Sequence, residues 1–172
     1  MFKYGILEEK NAQAELSNFL HDNKFKSKNL SYCSIGFTYY KDKKSKIIMQ
    51  NNEWINSIRK NEINKYCPIF KAFDSTRNNY IFLSKYNYIT QIERKILNER
   101  KNFEDTKGIL KIFRNKDFKF SISACTGYKN FDEEDFLIKE HEFFHNLCIF
   151  SENLVKKYLL IEHSESKDTK NE

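Results

Sequence analysis

From Phe118 to Cys125 the chain alternates without a break. Phe118, Phe120, Ile122 and Ala124 are apolar, while Lys119, Ser121, Ser123 and Cys125 between them are charged, hydroxylic or small. A period of two belongs to a strand whose faces meet different surroundings. One face must cover a core, and the other presents small and hydroxyl groups. Gly108–Phe113 reads as a second strand, and the polar run Arg114-Asn115-Lys116-Asp117 joins the two as a predicted hairpin.

A second hairpin is expected earlier. Tyr32–Tyr40 (YCSIGFTYY) is an aromatic-rich strand with Gly36 inside it, followed by the charged turn KDKKSK and a strand at Ile47–Met49. A short strand is expected at Tyr80–Leu83. Helical signals surround these strands. Leu7–Leu20 is amphipathic, with Leu16, Phe19 and Leu20 on one side. Asn51 or Asn52 can cap a helix carrying Trp54 and Ile58 one turn apart. Pro68 suits the first turn of a short helix, Ile69–Phe73. Thr90-Gln91-Ile92-Glu93 is a capping box opening a helix with Ile92, Ile96 and Phe103. One long helix is expected from about Asp132 to Ile161, its acidic start complementing the helix dipole. Its apolar side takes in Leu137, Phe144, Leu147, Cys148, Leu154, Val155 and Tyr158. Hairpins with helices before, between and after them predict an α/β/α sandwich around a roughly five-stranded antiparallel sheet, PAS- or GAF-like in its layering.

A chain of 172 residues suits one domain, expected over residues 1–163, with the polar stretch 164–172 as a tail or the start of a linker. Its 16 Phe and 10 Tyr provide large buried area. The four cysteines, Cys33, Cys67, Cys125 and Cys148, form no C-x-x-C pair and sit among apolar residues, so they read as buried thiols. The start lacks an apolar signal core and no stretch is long enough to span a membrane, which predicts a cytoplasmic protein. The net charge of +6 comes from 25 lysines against 5 arginines, scattered and interleaved with acids. Forked phosphate and guanine contacts favour arginine, so direct nucleic-acid contact by this segment is not expected.

Trp54 is followed by Cys67-Pro68 and then Ile69-Phe70-Lys71-Ala72-Phe73. The segment from Asn102 to Ser123 runs as aromatic, spacer, glycine, apolar strand, turn, apolar strand. In both blocks, and in element order over residues 7–160, the chain resembles the autoinducer-binding sensor domain of LuxR-type quorum-sensing transcriptional regulators of bacteria. That resemblance implies a five-stranded sheet and a helix layer enclosing a small signal, usually an acyl-homoserine lactone. It also implies ligand-controlled dimerisation and DNA binding through a helix-turn-helix domain. No such motif follows within these residues, so it is expected on an attached segment or on a full-length partner, with this chain as homodimer or heterodimer.

Carried over position by position, the resemblance places Trp54, Ile58, Cys67, Phe82, Leu83, Ser121 and Ser123 at the ligand. Trp54 would donate its indole N–H to the lactone carbonyl. Phe82 or Leu83 would cover the lactone, and Ser121 or Ser123 would supply a hydroxyl. Two positions depart from the pattern. Ile58 stands where a tyrosine is common, and Cys67 where an aspartate accepts the ligand amide N–H. A thiol is a poor acceptor, and an amide left unsatisfied in a dry pocket costs about 1–3 kcal/mol. Ordinary acyl-homoserine lactones are therefore expected to bind weakly or not at all. No cofactor is expected.

Two other readings compete. His141-Glu142-Phe143-Phe144-His145 is an H-E-x-x-H on a predicted helix, the spacing of a zinc hydrolase with two ligands on one face and a glutamate base. A third ligand is needed, and Glu152, Glu162, His163 and Glu165 are the downstream candidates. The histidines also flank a packed face, so no metal site and no enzyme is the favoured reading. The last possibility is a PAS- or GAF-like interaction module with a filled core, in which Trp54 is plain packing. The spacing from Trp54 to Pro68 favours a pocket wall.

Overall fold

The two hairpins form, and they pair with each other through Tyr32–Tyr39 and Phe118–Thr126. The computed structural model describes residues 3–6, 10–41, 44–50, 53–54, 56–57 and 65–160. The strands are β1 (Lys3–Ile6), β2 (Tyr32–Tyr39), β3 (Lys44–Met49), β4 (Tyr80–Phe82), β5 (Lys107–Arg114) and β6 (Phe118–Thr126). They make one six-stranded sheet in the order β1-β3-β2-β6-β5-β4. The expected five antiparallel strands run from β3 to β4, and β1 adds a parallel edge beside β3. The helices are α1 (Lys10–Asp22), α2 (Pro68–Ser75), α3 (Gln91–Asn102), α4 (Glu133–Lys139) and α5 (His141–Val155). Residues 53–54 and 56–57 are also helical. None of the described helices is long and apolar enough to cross a membrane.

Alternation sorts the strand residues into two cores. Cys33, Ile35 and Phe37 of β2 join Phe120, Ile122 and Ala124 of β6 against α1, α4 and α5. Tyr32, Met49, Leu110, Ile112 and Cys125 join Trp54 and the apolar residues of α2 and α3 on the opposite face. Helices thus cover both faces of the sheet, giving the α/β/α sandwich. All four cysteines are buried and free.

The local signals act as their chemistry requires. Thr90 Oγ1 accepts from the Glu93 amide at 3.2 Å, and the Glu93 carboxylate accepts from the Thr90 amide at 2.9 Å. Pro68 opens α2 at its first turn, where no amide donor is needed. Asp132 caps α4 through the amides of Glu134 and Asp135, at 3.0 and 2.9 Å.

One expectation is corrected. The single long helix from Asp132 to Ile161 is two helices, broken at Glu140 (φ −112°, ψ 27°), and α5 ends at Val155 before a wider turn, Lys156–Leu160. The physical reason lies in the spacing. Phe136, Glu140, Phe144 and Leu147 share one helical stripe, and a straight helix would push the Glu140 carboxylate into the core. The break leaves it half-buried, bonded to the Lys28 ammonium. Phe136 and Phe143, absent from the predicted apolar side, are both buried. The predicted first helix runs on to Asp22, two residues past Leu20, and is described from Lys10, the expectation for residues 7–9 lying outside the described residues. Of the apolar residues expected on the helix after Thr90, Ile96 is buried and Ile92 is 41% exposed.

Candidate functional site

The hydroxyl face of β2 and β6 is the floor of a cavity of about 80 Å3 between the sheet and the α2 layer. The antiparallel register sets Ser34 opposite Ser123, Gly36 opposite Ser121 and Thr38 opposite Lys119. These side chains face α2 because both strands alternate in phase across the ladder. Gly36 is where the floor opens, since a Cβ there would lie 3.0 Å from Ser121 Oγ. Ile47 and Met49 of β3 and Leu110 of β5 flank the hydroxyls with apolar surface.

The opposite wall comes from Trp54, from Ile69, Phe70 and Phe73 of α2, and from Leu83. Trp54 is buried and packs on Phe103, ring centroids 5.0 Å apart. Lys119 ties this wall to the floor. Its buried ammonium donates to Asp74 Oδ1 at 2.6 Å and to the Phe73 carbonyl at 3.3 Å, and lies 4.0 Å over the Phe73 ring.

A buried ion pair closes one end. Arg100, from the last turn of α3, and Asp105, from the turn into β5, both line the cavity and are 4% and 3% exposed. Arg100 Nη2 lies 2.8 Å from Asp105 Oδ2, and Arg100 Nε donates to the Asp105 carbonyl at 2.8 Å. The Cys125 thiol and the Trp54 indole lie near the Asp105 carboxylate. Burial pushes the Asp105 carboxyl up, opposed by the Arg100 guanidinium and these donors. Burial is the largest single influence on the guanidinium and opposes its charge, but Asp105 together with Cys67, Tyr88 and Cys125 outweighs it, so the Arg100 pKa is raised. Burial likewise raises the Tyr32 phenol and the Cys125 thiol well above their usual ranges. The site holds a balanced charge pair in an otherwise neutral, partly hydroxylic chamber.

Of the residues singled out from sequence, Trp54, Leu83, Ser121 and Ser123 line this cavity. Cys67 does not. It is fully buried behind the wall, its Sγ 3.8 Å from Arg100 Nη1. Phe82 packs against the core on the other face of the sheet, with the Lys85 ammonium 4.7 Å from its ring centroid. Ile58 lies outside the described residues. Sequence reasoning missed Arg100 and Asp105, as well as Tyr32, Ser34, Gly36 and Thr38 of β2. A signal existed, because Arg100 follows Ile96 by one turn on the packed side of α3, where a charge demands a partner.

His141, Glu142 and His145 are exposed on α5. Among the described residues no group of three or more His, Cys, Asp or Glu stands close enough to hold a metal. Glu162, His163 and Glu165 lie outside them.

No protein-family description matches the sequence, and no curated protein is similar to it. Solved structures are similar in fold. The N-acylhomoserine-lactone-dependent LuxR-family transcription factor CepR2 of Burkholderia cenocepacia superposes with a TM-score of 0.58 at 13% identity, over 86% of this chain and 96% of that one. The fold is that of a LuxR-type autoinducer-binding domain. SdiA in complex with octanoyl-rac-glycerol gives a TM-score of 0.56 at 9% identity, over 87% of this chain and 61% of that one. Escherichia coli SdiA gives 0.57 at 9% identity, over 88% and 63%. The chain therefore spans about three fifths of each SdiA chain. At such identity the autoinducer-binding fold is what is shared, and the ligand must be argued from this chain's own cavity.

Proposed function

We propose that this chain is a ligand-sensing domain of LuxR type, which binds a small, largely apolar signal between the sheet and α2. The observation that supports it best is the cavity itself, walled by the single tryptophan and floored by paired hydroxyls. An interaction module with a filled core has no need of an opening at Gly36 or a chamber around a buried charge pair. CepR2 depends on an N-acylhomoserine lactone and SdiA has been captured with octanoyl-rac-glycerol, so an acyl compound of either kind is the first class to try. Occupancy would control dimerisation, with itself or with a full-length regulator, and through it a helix-turn-helix domain. Contact with DNA would belong to that domain.

At about 80 Å3 the cavity is well below the roughly 300–1,000 Å3 of ordinary ligand pockets. A long acyl chain must displace the α2 wall, so binding would be coupled to the position of α2. The test is a thermal melt of the protein with acyl-homoserine lactones and acyl glycerols of graded chain length. A ligand at a hundred times its Kd contributes about 2.7 kcal/mol, or a shift of roughly 5–10 °C for a domain of this size. No shift with any member of the set contradicts the reading.

A further inference from the structure

We propose that the exposed histidine pair of α5, His141 and His145, is one half of a structural zinc site, completed by the same pair from a second copy of this chain. The site lies apart from the chamber beside Trp54 and uses none of its residues, so it stands whether or not that chamber binds a signal.

The first ground is the pair itself. His141 and His145 are four residues apart on α5, and both are exposed. Side chains at that spacing stand as neighbours, with about 5–6 Å between Cβ atoms, so two imidazoles can reach one ion. Neutral imidazole suits zinc, which takes four ligands in a tetrahedron. One chain supplies two of them, since no group of three or more His, Cys, Asp or Glu gathers among the described residues. A two-fold axis through the ion doubles the pair and closes the shell. A closed shell leaves no position for water, so such a site holds chains together and does not hydrolyse. Glu142 is exposed beside the pair and offsets the helix dipole, which disfavours a cation in the first turn.

The second ground is what flanks the pair. Ile138, in the last turn of α4, is 76% exposed, and Ile149, one turn after His145, is 47% exposed. Ile138 lies three residues before the pair and Ile149 four after it, so the stripe is self-complementary under reversal. When two copies of this face cross antiparallel with His141 against His145 of the second copy, Ile138 falls beside Ile149 of the second copy. Each crossing would thus cover the apolar surface that one chain leaves in water. The acids brought together further out carry their own lysines, Asp135 with Lys139 at 2.8 Å and Glu152 with Lys156 at 2.7 Å. One helix crossing buries less than the roughly 1,200 Å2 of a stable interface, so the dimer should depend on its metal.

The test is sedimentation of the full chain, carrying no His tag, in zinc and in EDTA. A monomer of 20.8 kDa is expected in EDTA, and a dimer in zinc with one zinc per two chains by metal analysis. By symmetry, His141→Ala or His145→Ala each removes half the ligands and should abolish the zinc-dependent dimer. His21→Ala, at an exposed histidine of α1, should leave it intact. Ile138→Ser with Ile149→Ser should weaken the association at least about tenfold. All these positions are exposed, so the variants keep the parent fold. A monomer in saturating zinc, one zinc per chain without dimerisation, or a dimer that persists in EDTA overturns the proposal. So does zinc-driven association that survives either α5 histidine variant, is lost with His21, or is unchanged in the isoleucine variant.

Discussion

A single substitution in the wall of a pocket changes meaning when its partner has moved. With Cys67 turned into the protein, the carboxylate of this site is Asp105, and it is tied to Arg100 before any ligand arrives. A second buried carboxylate shows how strongly such groups hold the molecule. Glu133, 4% exposed, accepts from the Gly108 amide at 2.6 Å, from the Ser84 amide at 3.1 Å and from the Ser84 hydroxyl. It fastens the first turn of α4 to β5 and to the turn after β4. Glu133→Ala should cost about 3 kcal/mol in a urea titration, because buried N–H groups lose a charged acceptor; a loss under about 1 kcal/mol contradicts that assignment. At this scale the sequence was legible where alternation or spacing spoke. Ser121 and Ser123 fall on the cavity side because of their parity in β6, and Trp54 because of its distance to Pro68. Arg100 was legible only through its place one turn after Ile96, and Asp105 was not, since nothing in local spacing says which of many acids turns inward to meet it.

Among the elements, the β5–β6 hairpin carries the floor of the site and the sharpest backbone constraint. Gly108 adopts φ +141°, and a Cβ there would lie 2.6 Å from the Cys125 Cα. Gly108→Ala is therefore expected to destabilise the chain by about 3 kcal/mol or more, seen as a thermal melt lower by roughly 6–12 °C. A melt within a degree of the parent protein would show that the strands give way easily. Both hairpins, the α3 capping box and the Pro68 start of α2 could be read from the chain because each depends on residues near in sequence. β1 could not, since Lys-Tyr-Gly-Ile is too short to show a period and owes its strand form to pairing with β3. The break between α4 and α5 was visible in principle as Glu140 on the apolar stripe.

For the whole molecule, two cores on either side of one sheet bury an unusual set of weak acids. Burial raises the thiols of Cys33, Cys125 and Cys148 and the phenols of Tyr32 and Tyr88, with Cys148 pushed up to about 11. The folded chain keeps these protons while the unfolded chain releases its thiol protons from about pH 8.5–9. Stability should thus fall as pH rises through this window, by about 1.4 kcal/mol per pH unit for each group involved. Melting temperature is expected to decline above about pH 9, and Cys148→Ala to flatten that decline up to about pH 11. A flat profile to pH 11 contradicts the burial of these groups. The layer order of the fold was readable from the chain because helix and strand periods alternate along it. The chemistry of the chamber was not, because it arises where α3, β2 and β6 meet across large sequence separations.

The central claim is that the chamber beside Trp54 receives a small acyl ligand. Titrating the protein with short- and long-chain acyl glycerols and acyl-homoserine lactones while following Trp54 emission tests it most directly. The account predicts a saturable emission change, matched by a rise in melting temperature. Emission that stays constant across the whole set would contradict it.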